Sequence, residues 1–135
     1  MPTQDNVTVN AGVVTLTTTT ETTIATAPGV SYAAPGGEGN YVQGNIVAAI
    51  GAGATSYTWR VYQNAVLVAS SGNITVTAST TVNIGFACLD SSAAATKSPA
   101  PIFYGVTLQV NGATANSTVA AGLGVISSTP ATSAS

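Results

Sequence analysis

A chain of 135 residues has room for one domain, and only six of its side chains are charged: Asp5, Glu21, Glu38, Asp90, Arg60 and Lys97. With no histidine, one cysteine and a net charge of −2, it lacks the groups for a zinc site, for most acid-base chemistry, and for gripping a nucleic-acid backbone or an anionic membrane. Apolar residues make up 45%, and threonine, serine, asparagine and glycine carry most of the balance, a mix that favours pleated strands and tight turns over helices.

Residues 1–11 have neither the basic nor the apolar block of a secretion signal and are expected to form an N-terminal arm that orders on contact. No later run approaches the ~20 apolar residues of a membrane-spanning helix. Alternation with a period of two predicts a first strand from Gly12 to Thr20, continuing through Thr22 to Ala27 and ending at Pro28-Gly29. A glycine-rich loop over 35–40 follows. From Tyr41 to Ile50, residues Val42, Ile46, Ala48 and Ile50 share a face, and Gly51-Ala52-Gly53 reads as a turn, since strands flank it and Ser56 stands where a dinucleotide loop needs its third glycine.

The clearest strand is Thr55 to Gln63, with Tyr57, Trp59 and Val61 on one side and Thr58, Arg60 and Tyr62 on the other. Asn64-Ala65 predicts a hairpin turn into Val66 to Ala69. Ile74 and Val76 mark a further strand, and Thr81 to Cys88 another, in which Val82, Ile84, Phe86 and Cys88 face together. Residues 90–101 read as a surface loop. Phe103 to Val110 follows with Tyr104, Val106, Leu108 and Val110 on one face, then the turn signal Asn111-Gly112 and a last strand over Ser117 to Ile126. Residues 127–135 read as a flexible C-terminal tail. About eight strands within 12–126 predict a single antiparallel β-sandwich, jelly-roll-like first and immunoglobulin-like second.

Few residues present themselves for chemistry. The four carboxylates are scattered, Lys97 beside Ser98 is the single conceivable base for a hydroxyl nucleophile, and Glu38 with Asn40, or Asp90 with its serine neighbours, supplies only part of a calcium site. The expectation is therefore no catalytic residue, no metal and no cofactor. Cys88 reads as a small buried hydrophobe, and Trp59, Tyr57, Phe86 and Tyr104 as core. Sequons at Asn6, Asn73 and Asn116 are as many as this composition yields by chance. Interface residues are sought instead among Arg60, Glu21 and the tyrosines Tyr62 and Tyr32, the bland alternative for Arg60 being a surface pair with a carboxylate such as Glu21 or Asp90.

Several segments, in order, resemble a jelly-roll module of tailed-phage capsid decoration proteins and of virion fibre or appendage domains. They are Thr15 to Thr26 with Glu21 and Ile24, Val42 to Ile46, Tyr57 to Tyr62 with its arginine, Tyr104 to Val110, and the closing stretch to Ile126. The resemblance implies a bacteriophage structural protein, made in the host cytoplasm, that binds the major capsid protein on the outer capsid surface and cements the shell, as a homotrimer and without catalysis. Two alternatives stand beside it. A receptor- or carbohydrate-binding head domain predicts a polar pocket with an exposed aromatic, and a self-assembling filament or adhesin subunit predicts an N-terminal strand given to the next copy.

Overall fold

The computed structural model describes residues 4–10, 12–29, 39–90 and 102–128, with side chains at 12–27, 41–90 and 103–124. Ten strands and no helix occur among them: β1 (Gln4–Asn10), β2 (Val14–Leu16), β3 (Thr22–Gly29), β4 (Gly39–Ala49), β5 (Ser56–Gln63), β6 (Val66–Ser70), β7 (Ile74–Thr75), β8 (Thr81–Asp90), β9 (Ile102–Asn111) and β10 (Ser117–Ser128). All pairings are antiparallel.

The strands form two sheets. In sheet I the order is β1-β10-β4-β8, and β2 continues the line of β1 along β10. In sheet II the order is β3-β9-β5-β6, and β7 continues the line of β6 along β5. With β1/β2 and β6/β7 each counted as one broken strand, the pairings nest: first with last, β3 with β9, β4 with β8, and β5 with its own hairpin partner at the centre. That nesting is the jelly roll, and it sets aside the immunoglobulin-like order.

Period-two patterning places the core between the sheets. Val42, Ile46 and Ala48 from β4 and Ile84 and Phe86 from β8 meet Val61 from β5 and Tyr104, Val106, Leu108 and Val110 from β9. Trp59 crosses from sheet II to Phe86 of sheet I, with ring centroids 5.7 Å apart and planes tilted by 46°. One end of the core holds a polar tie. Asp90 Oδ2 accepts from Gln63 Nε2 (2.8 Å) and from Tyr104 Oη (2.5 Å), and all three side chains are buried.

Two segments depart from the sequence expectation. The run from Gly12 to Thr20 is not one strand: only Val14–Leu16 is extended, and a turn closed by Thr20 N–H to the Thr17 carbonyl (2.9 Å) carries the chain from sheet I to sheet II. Thr18 sits there at φ 38°, and its N–H is held by Asn116 Oδ1 (3.1 Å), so a long-range contact overrides threonine's preference for strand. Within the expected arm, Gln4–Asn10 lies along β10 from Gly122 to Ser128 as an edge strand. Asn64 and Ala65, by contrast, form the expected two-residue hairpin turn, both at positive φ (46° and 70°).

Candidate functional site

The outer face of sheet II gathers three of the four residues singled out for an interface. Register alone brings them close. Arg60 lies opposite Thr107 and Tyr62 opposite Gly105, while on the other side of β9 Thr23 lies opposite Thr107 and Thr26 opposite Gly105. A bulge in β3 between Thr23 and Ala25 buries Ile24 and Ala25 in succession and so turns both Thr23 and Thr26 outward.

Glu21, at the end of the crossover turn, is the hub. Its Oε2 accepts from Thr107 Oγ1 (2.6 Å) and Tyr62 Oη (2.7 Å), and its Oε1 pairs with Arg60 Nη1 (3.0 Å). Arg60 Nη1 also reaches Gln109 Oε1 (3.1 Å), and Gln109 Nε2 donates to the Thr19 carbonyl (3.1 Å), tying the turn down. The Thr107 hydrogen bond, with those from Tyr62 and Arg60, holds the Glu21 carboxyl below its usual range against a smaller desolvation penalty. The same bond to Glu21 pushes the Tyr62 phenol up. The arginine's charge is thus balanced on the spot, by Glu21 and not by Asp90.

Beside this network lies an open trough of about 510 Å³ between β3, β9 and the start of the β5–β6 turn. Gly105 stands on its floor, Tyr62 and Thr26 on opposite walls, and Phe103 at one end with more than half its surface exposed. A reciprocal pair fixes Phe103: Asn64 N–H donates to the Phe103 carbonyl and Phe103 N–H to Asn64 Oδ1, both at 2.9 Å.

Sheet I presents a different outer surface. Tyr41, Val47 and Leu89 are exposed there among Gln43, Asn45, Thr81, Asn83, Ala87, Thr118 and Ala120, and none of the described outward side chains of β4, β8 and β10 is charged at neutral pH. A shallow depression of about 570 Å³ crosses it over Gly85, Gly122 and Gly124.

Other sequence candidates fall elsewhere. Tyr32, Glu38, Lys97 and Ser98 lie outside the described residues, and Asp90 is taken up in the buried tie. Cys88 packs half-buried against the core, where burial, with a smaller contribution from the Asp90 charge, pushes its thiol up to about 11. Among the described residues no cluster of carboxylates and thiols has the makings of a metal site. The trough itself carries no short motif. Its signal in the sequence is a lone glycine at mid-strand, Gly105, two residues after a phenylalanine on the same face.

No protein-family model and no curated protein matches the sequence. Solved structures do resemble the fold. A chain of the infectious bursal disease virus-derived T=1 particle superposes with a TM-score of 0.59 at 14% identity, over 93% of this chain and 31% of the viral one. A chain of the Gx strain of that virus gives 0.56 at 13%, over 93% and 32%. Latent PorU from Porphyromonas gingivalis gives 0.56 at 7%, over 93% of this chain and 13% of that one. This chain therefore spans about a third or less of each of these three chains, and what the likeness establishes is its architecture: a jelly roll of the kind found in viral capsid proteins.

Proposed function

We propose that this chain is a non-enzymatic structural protein of a virion, a decoration or cement module that docks on the outer face of a capsid. The observation that carries the proposal is the outer surface of sheet I. Across the described parts of β4, β8 and β10 it exposes Tyr41, Val47 and Leu89 and hydroxyl and amide groups, without an ion. Ions are costly to bury at an interface, so such a face can meet a partner without that penalty. Its glycine-floored depression can receive a partner side chain. A trimer engaging equivalent capsid sites together gains avidity with no further contact per copy. The jelly-roll architecture, shared with virus particle chains, is consistent with that role.

The test is light scattering of the purified chain followed by mixing with undecorated capsids. A trimeric mass and cosedimentation are expected, with cosedimentation lost in Val47→Asp and Leu89→Asp. A stable monomer that ignores capsids sinks the proposal.

A further inference from the structure

We infer that the trough on sheet II is a binding site for a neutral saccharide. The inference does not depend on the docking role of sheet I. It rests on how the trough is built.

The rim of the trough carries an exposed aromatic side chain on a backbone that is held in place. Phe103 is more than half exposed, yet its backbone is clamped on both sides by Asn64. Asn64 spends its carbonyl oxygen on that clamp, which leaves its amide nitrogen as a donor beside the trough. Gly105 is on the floor although nothing in its surroundings demands a glycine. Its φ is not in the left-handed region, and a Cβ there would meet Thr26 and Thr23 methyls only at 3.8 and 3.9 Å, ordinary contact. A glycine at mid-strand costs stability, and its effect here is to keep the floor open for an approaching group.

The chemistry of the walls selects the ligand. The Glu21 charge is already met by Arg60, so the site offers no unbalanced charge to an anion or a cation. A phosphate, a nucleic acid or a metal ion therefore finds nothing to hold it. An extended peptide finds no free strand edge on the floor either, because β9 is paired on both sides, and β3, the edge strand of the sheet, forms only a wall. What remains is an aromatic face, a phenol ring, threonine methyls, a carboxylate with acceptor capacity and a free amide donor. A pyranose matches that set, with C–H faces that lie on an aromatic ring and hydroxyls that both donate and accept. The volume is within the range of small-molecule sites.

The experiment is a titration of isotope-labelled full-length chain with the methyl glycosides of glucose, galactose and N-acetylglucosamine, with N-acetylneuraminic acid as the anionic comparison. At least one neutral glycoside is expected to move the amide signals of Asn64, Phe103 and Gly105. Its dissociation constant is expected to rise at least about tenfold in Phe103→Ala and in Gly105→Val and to stay unchanged in Tyr41→Ala on the opposite sheet. Because Phe103 is exposed, its truncation leaves the core intact, and unchanged spectra away from the trough verify this. An oligosaccharide of the same sugar that binds more tightly marks a glycan chain as the source, and equal affinity a single terminal residue. The inference is overturned if no neutral glycoside shifts these signals, if only the anionic sugar does, or if both trough variants bind like the parent.

Discussion

Among the glycines whose surroundings are described, Gly44 is the one where an added methyl group meets the shortest contact. It lies on β4 opposite Phe86 of β8 and Leu123 of β10. A Cβ built there would overlap the Gly122 carbonyl oxygen and come within 2.6 and 2.8 Å of Phe86 Cζ and Cε1. The ring can swing aside, but the carbonyl belongs to the backbone of the neighbouring strand. In Gly44→Ala, β4 and β10 must part locally by about 1 Å, which stretches the flanking ladder hydrogen bonds beyond bonding distance. Two such bonds at about 0.5–1.5 kcal/mol each, together with about 1–3 kcal/mol of overpacking, give a loss of about 2–6 kcal/mol. A domain of this size has about 5–15 kcal/mol in all. Urea unfolding followed by the fluorescence of Trp59, the single tryptophan, measures it. Gly85→Ala is the matched control: it lies in the same sheet with nothing within 4 Å of its Cβ, and is expected to be neutral or slightly stabilising. Because the obstacle is a carbonyl and not the ring, adding Phe86→Ala to Gly44→Ala must fail to restore stability. Full rescue, or a Gly44→Ala variant within ~0.5 kcal/mol of the parent, refutes the reasoning.

Glu21→Gln removes the ion pair and weakens two hydrogen bonds at a part-exposed site, for an expected loss of about 1 kcal/mol at neutral pH. The folded-state pKa of Glu21 is lowered, so its stabilisation is complete above the ordinary glutamate value of about 4.3 and fades as pH falls through the folded value. Melting curves of parent and variant should converge in acid, and parallel curves would show that the carboxylate is not the source. Ala65→Gly should stabilise by about 0.5–1 kcal/mol, because alanine pays for φ 70° in the hairpin turn and glycine does not. A lower midpoint for this variant would mean that the turn is not strained. With its thiol pushed up to about 11, Cys88 should be roughly a thousandth thiolate at about pH 8 and react with iodoacetamide far more slowly than free cysteine until the chain is unfolded. Equal rates in the folded and unfolded protein would contradict the burial argument.

The strands were legible because the period-two signal is strong wherever both sheets bury one face. Val42, Ile46 and Ala48, or Tyr104 to Val110 in steps of two, are buried as their spacing requires. The broken first strand was not legible, since Thr15 to Thr20 has uniform strand propensity and the break is imposed by Asn116, distant in sequence. The sheet pairing of Gln4–Asn10 was hidden for a related reason: it is decided by the free edge of β10 and not by the polar segment itself. Glu21 or Asp90 was the partner expected for Arg60 from the sequence, and the ion pair selects Glu21, while Tyr62 was picked out separately. The convergence of Arg60, Glu21 and Tyr62 depends on the β5–β9 register and the β3 bulge, neither of which leaves a local mark. Gly105 was passed over because a mid-strand glycine carries meaning only once its neighbours across the sheet are known.

The placement of charge links the two outer faces. Glu21 and Arg60 form the ion pair of the described side chains on the outer face of sheet II, where water screens it and it costs little, while the described outer face of β4, β8 and β10 is free of ions. In a docked particle that division leaves sheet II, with its trough, turned away from the capsid. The two proposals then make a joint demand. Substitutions of Val47 or Leu89 must weaken capsid binding and leave glycoside affinity alone, and substitutions of Phe103 or Gly105 must do the reverse. If one set impairs both activities in a chain that remains folded, the faces are not independent, and the assignment of docking to sheet I has to be withdrawn.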